Sequence, residues 1–244
     1  IFTNLYILID ILKPKLYRNR SYKALDSVGI VCHETANPGA TALNHFEYFN
    51  SGDRRASAHA FVDWEQIIQT IPWTEKAWHA GPTANTLYIG VELCRPQNHD
   101  PVKFCEVWKR GVWLYAYLFV EILKISTVTP NNLLSHDDCR RRFRETTHTD
   151  PVGLFKEYGK SMDDLRMDVQ KEIRQILSKK SVYKAKVIAA VLNVRNGPDC
   201  TAMIVTQLKK GEIVSILGES NGWYRIEENQ WISSLYVDLR ACSE

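Results

Sequence analysis

Short apolar runs alternate with longer polar or amphipathic segments along most of this chain. Residues 28–33, Val-Gly-Ile-Val-Cys-His, form an apolar run that turns polar at Glu34, which predicts a buried strand leaving the core at His33. Residues 40–49 place apolar side chains at helical spacing and stop at Ser-Gly-Asp, predicting a short helix that includes His45 as a structural residue. Residues 57–63 and 66–72 predict two strands joined by a turn, and residues 87–94 a further buried strand. Residues 101–125, rich in apolar and aromatic side chains, predict a long helix on the sheet. A second short apolar run ends on His136, followed by a polar stretch, 137–147, that reads as a loop. Residues 162–178 then read as an amphipathic helix.

From residue 183 the pattern changes in kind. Six short β-like runs, at 185–188, 190–194, 204–208, 213–218, 224–226 and 230–232, are separated by Gly, Pro, Asn and Lys turns. That spacing predicts a small all-β barrel. The expected architecture is therefore α/β, a mixed central sheet flanked by helices over residues 1–165, with residues 1–27 as a covering segment. A helical linker over 166–182 and a barrel over 183–244 complete it.

Composition narrows the functional classes. Of 244 residues, 45% are hydrophobic and 24% charged, as expected of a globular protein with a real core. The net charge of +3 comes from residues 1–180, with 24 basic against 21 acidic side chains, while residues 181–244 hold seven of each. No basic cluster of the kind that binds nucleic acid results. Six scattered cysteines without a CxxC pair read as reduced thiols. Residues 1–12 are apolar but contain Asp10, are too short to span a bilayer, and have neither a basic leader nor a small-residue cleavage site; they do not read as a signal peptide.

Two strand-end histidines, His33 and His136, with the carboxylate Asp150 further on, suit an open metal site, in which about three protein ligands leave one position for water. Their separation in sequence makes spacing alone a weak signal. Glu92 stands in the otherwise apolar run 87–94, where a carboxylate is costly to bury unless paired or functional.

The motifs His33-Glu-Thr-Ala-Asn-Pro, Ser57-Ala-His-Ala-Phe-Val-Asp, Ala77-Trp-His-Ala-Gly, Ile89-Gly-Val-Glu-Leu, and His136 with His148-Thr-Asp-Pro occur in an order that resembles the zinc-dependent N-acetylmuramoyl-L-alanine amidases, a group that includes phage endolysins and is related to peptidoglycan recognition proteins. The resemblance covers residues from about 25 to 160. It implies zinc ligation by His33, His136 and Asp150, with Glu92 as general base. Many members carry a lysine two residues before the last ligand; here that place holds His148, an imidazole that can also stabilise an oxyanion. Cys139 lies nearby but lacks the His-x-Asp-Pro context. The resemblance also implies that His59 and His79 contact substrate, while Trp78 suits either core or substrate packing and Arg95 reads as a solvated arginine.

The tail motifs Leu192-Asn-Val-Arg-Asn-Gly-Pro, Leu208-Lys-Lys-Gly-Glu, Gly218-Glu-Ser-Asn-Gly-Trp-Tyr and Trp231-Ile-Ser-Ser resemble bacterial SH3 (SH3b) domains that anchor wall hydrolases to peptidoglycan. The resemblances together imply a peptidoglycan hydrolase. The reduced thiols and the absence of a signal-peptide pattern lead us to expect one made in a bacterial cytoplasm and acting on the wall after release, or an extracellular autolysin where residues before Ile1 are missing. Charge and apolar run length give no sign of a nucleic-acid partner or a membrane span. Two other readings compete. One is a wall-binding protein of the same fold without catalysis, which would not need His33, His136, Asp150 and Glu92 together. The other is a cysteine peptidase, for which Cys32 and Cys94 sit too deep in apolar strands to act as nucleophiles.

Overall fold

The computed structural model describes residues 11–12, 18–180, 183–227 and 229–241. Most of the segment expected to cover the first strand, including the Lys13-Pro-Lys turn, lies outside the described residues. The chain divides into two units, Ile1–Ile173 and Arg174–Glu244.

Among the described residues the first unit has the strands β1 (Ile11–Leu12), β2 (Gly29–Glu34), β3 (Ala60–Val62), β4 (Ile67–Gln69), β5 (Tyr88–Leu93) and β6 (Leu133–Ser135). They form one sheet in the order β1-β4-β3-β5-β2-β6. Only the β3–β4 pair is antiparallel, because those two strands are joined by a tight turn in which Asp63 Oδ1 accepts the Glu65 and Gln66 N–H groups. β2 and β5 run parallel at the centre and are buried along nearly their whole length, which is why both read as continuous apolar runs.

Among the described residues the α-helices are α1 (Ala42–Phe49), α2 (Pro82–Leu87), α3 (Pro101–Tyr117), α4 (His136–Phe143), α5 (Val152–Glu157) and α6 (Met162–Lys180). α3 starts on Pro101, with Asp100 capping the Val102 and Lys103 N–H groups, and continues into a π-helical turn over Leu118–Ile122. It lies close on the sheet, since a Cβ at Gly111 would stand 3.0 Å from Leu93 Cδ2. Of the polar stretch 137–147, expected to be a loop, only 144–147 are loop, and residues 137–143 belong instead to α4. Ser135 and Asp138 make a reciprocal capping box at its start, and Arg140 and Arg141 pair with Asp137 at 2.7 and 3.1 Å. Acidic residues in its first turn and arginines in its last complement the helix dipole, so α4 forms without an apolar stripe.

Beyond the end of α6, the described part of the second unit is β-structure apart from a short helical turn at Ser234–Tyr236. The strands β7 (Tyr183–Val187), β8 (Val191–Arg195), β9 (Ile204–Lys209), β10 (Ile213–Ser215), β11 (Gly218–Ser220), β12 (Trp223–Glu227), β13 (Gln230–Ser233) and β14 (Val237–Ala241) form sheets of order β10-β7-β14 and β11-β12-β13-β8-β9. The single run expected at 213–218 is split between β10 and β11. The unit closes over Ala185, Val187, Leu192, Val194, Ile216, Ile232 and Val237, alternate residues of its strands among them.

Candidate metal centre

Register across the central strands gathers the polar groups at one edge of the sheet. Phe61 on β3, Glu92 on β5 and His33 on β2 are consecutive cross-strand partners, so their side chains share a face. His136 follows directly after β6, as the first residue of α4, and the loop after α4 brings in Thr146, His148 and Asp150. These groups line a cavity of about 690 Å³, whose wall also includes Glu34, Asn44, His45, Tyr48, Phe49, Trp78 and His79.

At its floor His33 Nδ1 and His136 Nδ1 are 3.0 Å apart, and Asp150 stands 3.3 Å from the first and 3.1 Å from the second. The Glu34 N–H donates to Asp150 Oδ2 and fixes the carboxylate from the other side. Each imidazole has its far nitrogen engaged: His33 Nε2 lies 2.9 Å from His79 Nδ1, and His136 Nε2 lies 2.8 Å from the Thr146 hydroxyl. The inner edges therefore present two ring nitrogens and an anionic carboxylate to one point. Three such electron-pair donors, all within 4.8 Å of one another, form a group able to hold a metal ion. Burial lowers the proton affinity of His33, which keeps that ring a neutral donor. Burial alone would raise the Asp150 carboxyl, but the imidazoles of His136 and His33 outweigh it and hold the group ionised.

Glu92 lines the same cavity, and its Oε2 is buried without a hydrogen-bond partner among the described residues. Burial, reinforced by the charges of Asp150 and Glu34, pushes its carboxyl well above the usual carboxylate range. His148 stands at the rim with its side chain 70% exposed, its ring stacked on His136 at 4.9 Å and its Nδ1 3.8 Å from Asp150.

The two histidines expected to touch substrate are placed differently from each other. His79 lies on the cavity wall as the neighbour of His33, with Nε2 3.1 Å from the Tyr88 carbonyl. His59 is 0% exposed behind it: Nδ1 accepts the Gly90 N–H at 2.9 Å and Nε2 lies 2.8 Å from the Glu75 carbonyl. Burial depresses His59 to a pKa of about 4. Trp78, 37% exposed, reaches the cavity wall, whereas Arg95 is tied to Glu34 and Glu157. Cys32 and Cys94 are buried and their thiols are pushed up by burial, and Cys139, pushed up to about 12, packs with Tyr88 and Leu134. Thr146 escaped the sequence reading; its position ten residues after a candidate ligand is the only signal it carries.

Profiles of known families match both units. That of the N-acetylmuramoyl-L-alanine amidases covers residues 24–153 and that of the bacterial SH3 domain residues 190–238. Protein Ami of Listeria monocytogenes is 36% identical over 135 residues, 54% of this chain and 14% of Ami. The N-acetylmuramoyl-L-alanine amidase XlyA of Bacillus subtilis is 31% identical over 142 residues, 56% of this chain and 47% of XlyA. The structure of the XlyA catalytic domain superposes with a TM-score of 0.54 at 26% identity, covering 66% of this chain and 99% of that domain. The Staphylococcus aureus hydrolase AmiA, solved in complex with its ligand, shares the fold with a TM-score of 0.63 at 22% identity, over 70% of this chain and 86% of the AmiA chain. The chain spans less than half the length of Ami or of XlyA.

Proposed function

This chain belongs to the N-acetylmuramoyl-L-alanine amidase family, and on that premise we propose that it hydrolyses the amide bond between N-acetylmuramic acid and L-alanine in peptidoglycan. The observation that carries this reading is the convergence of His33 Nδ1, His136 Nδ1 and the Asp150 carboxylate beside Glu92, whose buried Oε2 has no partner among the described residues, in one cavity. We assign zinc to the three donors, a set of two imidazoles and one carboxylate that suits this ion. When bound, zinc supplies Lewis acidity, bringing the pKa of water towards about 7 and polarising an amide carbonyl.

Glu92 then moves the proton. Its Oε2 accepts it from the attacking water and delivers it to the departing L-alanine nitrogen, and the raised proton affinity that burial imposes makes it the stronger base. His148, at the rim, donates an N–H to the oxyanion that develops on the scissile carbonyl; loss of such a donor costs about 3 to 4 kcal/mol. Residues 1–165 carry the catalysis, and 183–244 hold the enzyme on the wall, which is its site of action. No helix among the described residues is long and apolar enough to cross a membrane. Tethering to the insoluble polymer raises the local concentration of cleavable bonds.

The test is mass spectrometry of purified walls digested by the full chain. Free L-alanine N-termini should accumulate, vanish with a chelator and return with added zinc. New reducing sugar ends, or N-termini other than L-alanine, would overturn the assignment.

A further inference from the structure

We infer that His79 is a positioning residue that locks His33 in the tautomer whose Nδ1 is free to bind metal, and that Gly90 exists in β5 to make room for it. A count of protons fixes both tautomers. The Tyr88 carbonyl can only accept, so the 3.1 Å contact puts the His79 proton on Nε2. A neutral imidazole has one N–H, so His79 Nδ1 is an acceptor. The 2.9 Å contact between that atom and His33 Nε2 then requires the proton of His33 to sit on Nε2, leaving a lone pair on His33 Nδ1, which faces Asp150 and His136.

The His79 ring is held from three further directions. Its backbone N–H, and that of Ala80, donate to Asn85 Oδ1 at 2.8 and 2.9 Å, which pins the loop before α2. The ring packs edge-on to His33, with centroids 5.1 Å apart. It lies so close on β5 that a Cβ at Gly90 would fall 2.5 Å from its Cγ and 2.7 Å from its Nδ1. No side chain fits there, so a glycine in the middle of a central strand, otherwise a weakening choice, is explained by the close approach of His79. His79 is thus bound on both nitrogens within the protein and has no hydrogen bond left to offer a substrate, which sets its role apart from that of a substrate contact.

This inference rests on His33, His136 and Asp150 being metal ligands, and zinc affinity tests the two separately. In the full chain, competition with a chelator should give His79→Leu an affinity about 10 to 100-fold weaker than wild type, the usual cost of losing the partner of a ligating imidazole. His79→Asn keeps an oxygen acceptor near the place of Nδ1 and should recover most of that loss. A long-range nitrogen–proton NMR spectrum of the zinc-loaded wild type, which needs no variant to fold, should show His79 as the Nε2–H form with Nδ1 bare. If wild type binds no zinc, the metal-site reading falls and this inference with it. If wild type binds zinc and His79→Leu binds equally well, if His79→Asn is as weak as His79→Leu, or if His79 carries its proton on Nδ1, the inference alone is overturned.

Discussion

The cavity of the first unit and the groove of the second are of similar size, about 690 and 750 Å³, yet they are built on opposite plans. In the first, polar atoms are buried and held: His33 is 1% exposed, and Asp150 is fixed by His33, His136 and a backbone N–H. In the second, the groove runs past Val191, Trp223, Leu235 and Tyr236, with Leu235 79% and Tyr236 50% exposed. Burial with fixed hydrogen bonds defines the protonation and orientation of each group, which chemistry requires. Exposed apolar surface gives area without such definition, which suits holding a polymer. The contrast fits the proposed division, with bond breaking in one region and retention in the other.

The largest effect should come from Glu92, the one carboxylate of the proposed catalytic cavity whose buried oxygen has no partner among the described residues. Glu92→Gln preserves shape and removes the proton acceptor, so turnover on wall fragments should fall by about 10² to 10⁴-fold. Zinc content, measured by metal analysis, should stay at the wild-type level, because the three donors are untouched. A variant with unchanged turnover would remove Glu92 from the mechanism and blunt the contrast between the two regions.

A second effect tests the rigidity of the catalytic side. His59 is neutral in the fold down to a pKa of about 4, whereas in the unfolded chain it takes a proton near its ordinary value of 6.5. Between those values the unfolded state binds more protons, so stability is complete above pH 6.5 and is lost as the pH falls towards 4. The shift from 6.5 to about 4 is worth about 3 kcal/mol. Urea unfolding of the metal-free protein across this range should show that slope, reduced in His59→Gln, where no proton can be taken up. An equal slope in the variant would show that His59 is not the group responsible.

Much of this was legible beforehand, for identifiable reasons. His33 and Glu92 could be found because each interrupts an apolar strand, and a polar residue in such a run stands out whatever its role. α4 was not legible, since its sequence His-Asp-Asp-Cys-Arg-Arg-Arg-Phe has no apolar periodicity; the helix rests on a capping box and on Asp–Arg pairs three and four residues apart. The difference between His59 and His79 was equally hidden. Both stand in motifs of similar appearance, and only the fold decides that one is bonded to backbone on both nitrogens while the other is bonded to His33. Spacing records which residues occur, whereas the partner of each ring nitrogen depends on strands far apart in the chain.

The smallest effect bears on the other side of the comparison. If the groove of the second unit retains the wall, removing its exposed apolar groups should weaken adsorption and leave the chemistry alone. Leu235 and Tyr236 lie in the short helical turn Ser234–Tyr236, where neither contributes to the buried core, so their replacement should not unfold the unit. Burying one such side chain against a ligand is worth about 1.5 to 3 kcal/mol when complete. Partial burial of each should make adsorption of Leu235→Ser or Tyr236→Ala to purified walls weaker by about 10-fold, or about 1.4 kcal/mol. Cosedimentation with walls measures that loss, and cleavage of a small soluble muramyl peptide, which needs no anchoring, should proceed at the wild-type rate. Equal losses on both substrates would mean that the groove acts on the catalytic unit instead of on the wall, and the division of labour would have to be given up.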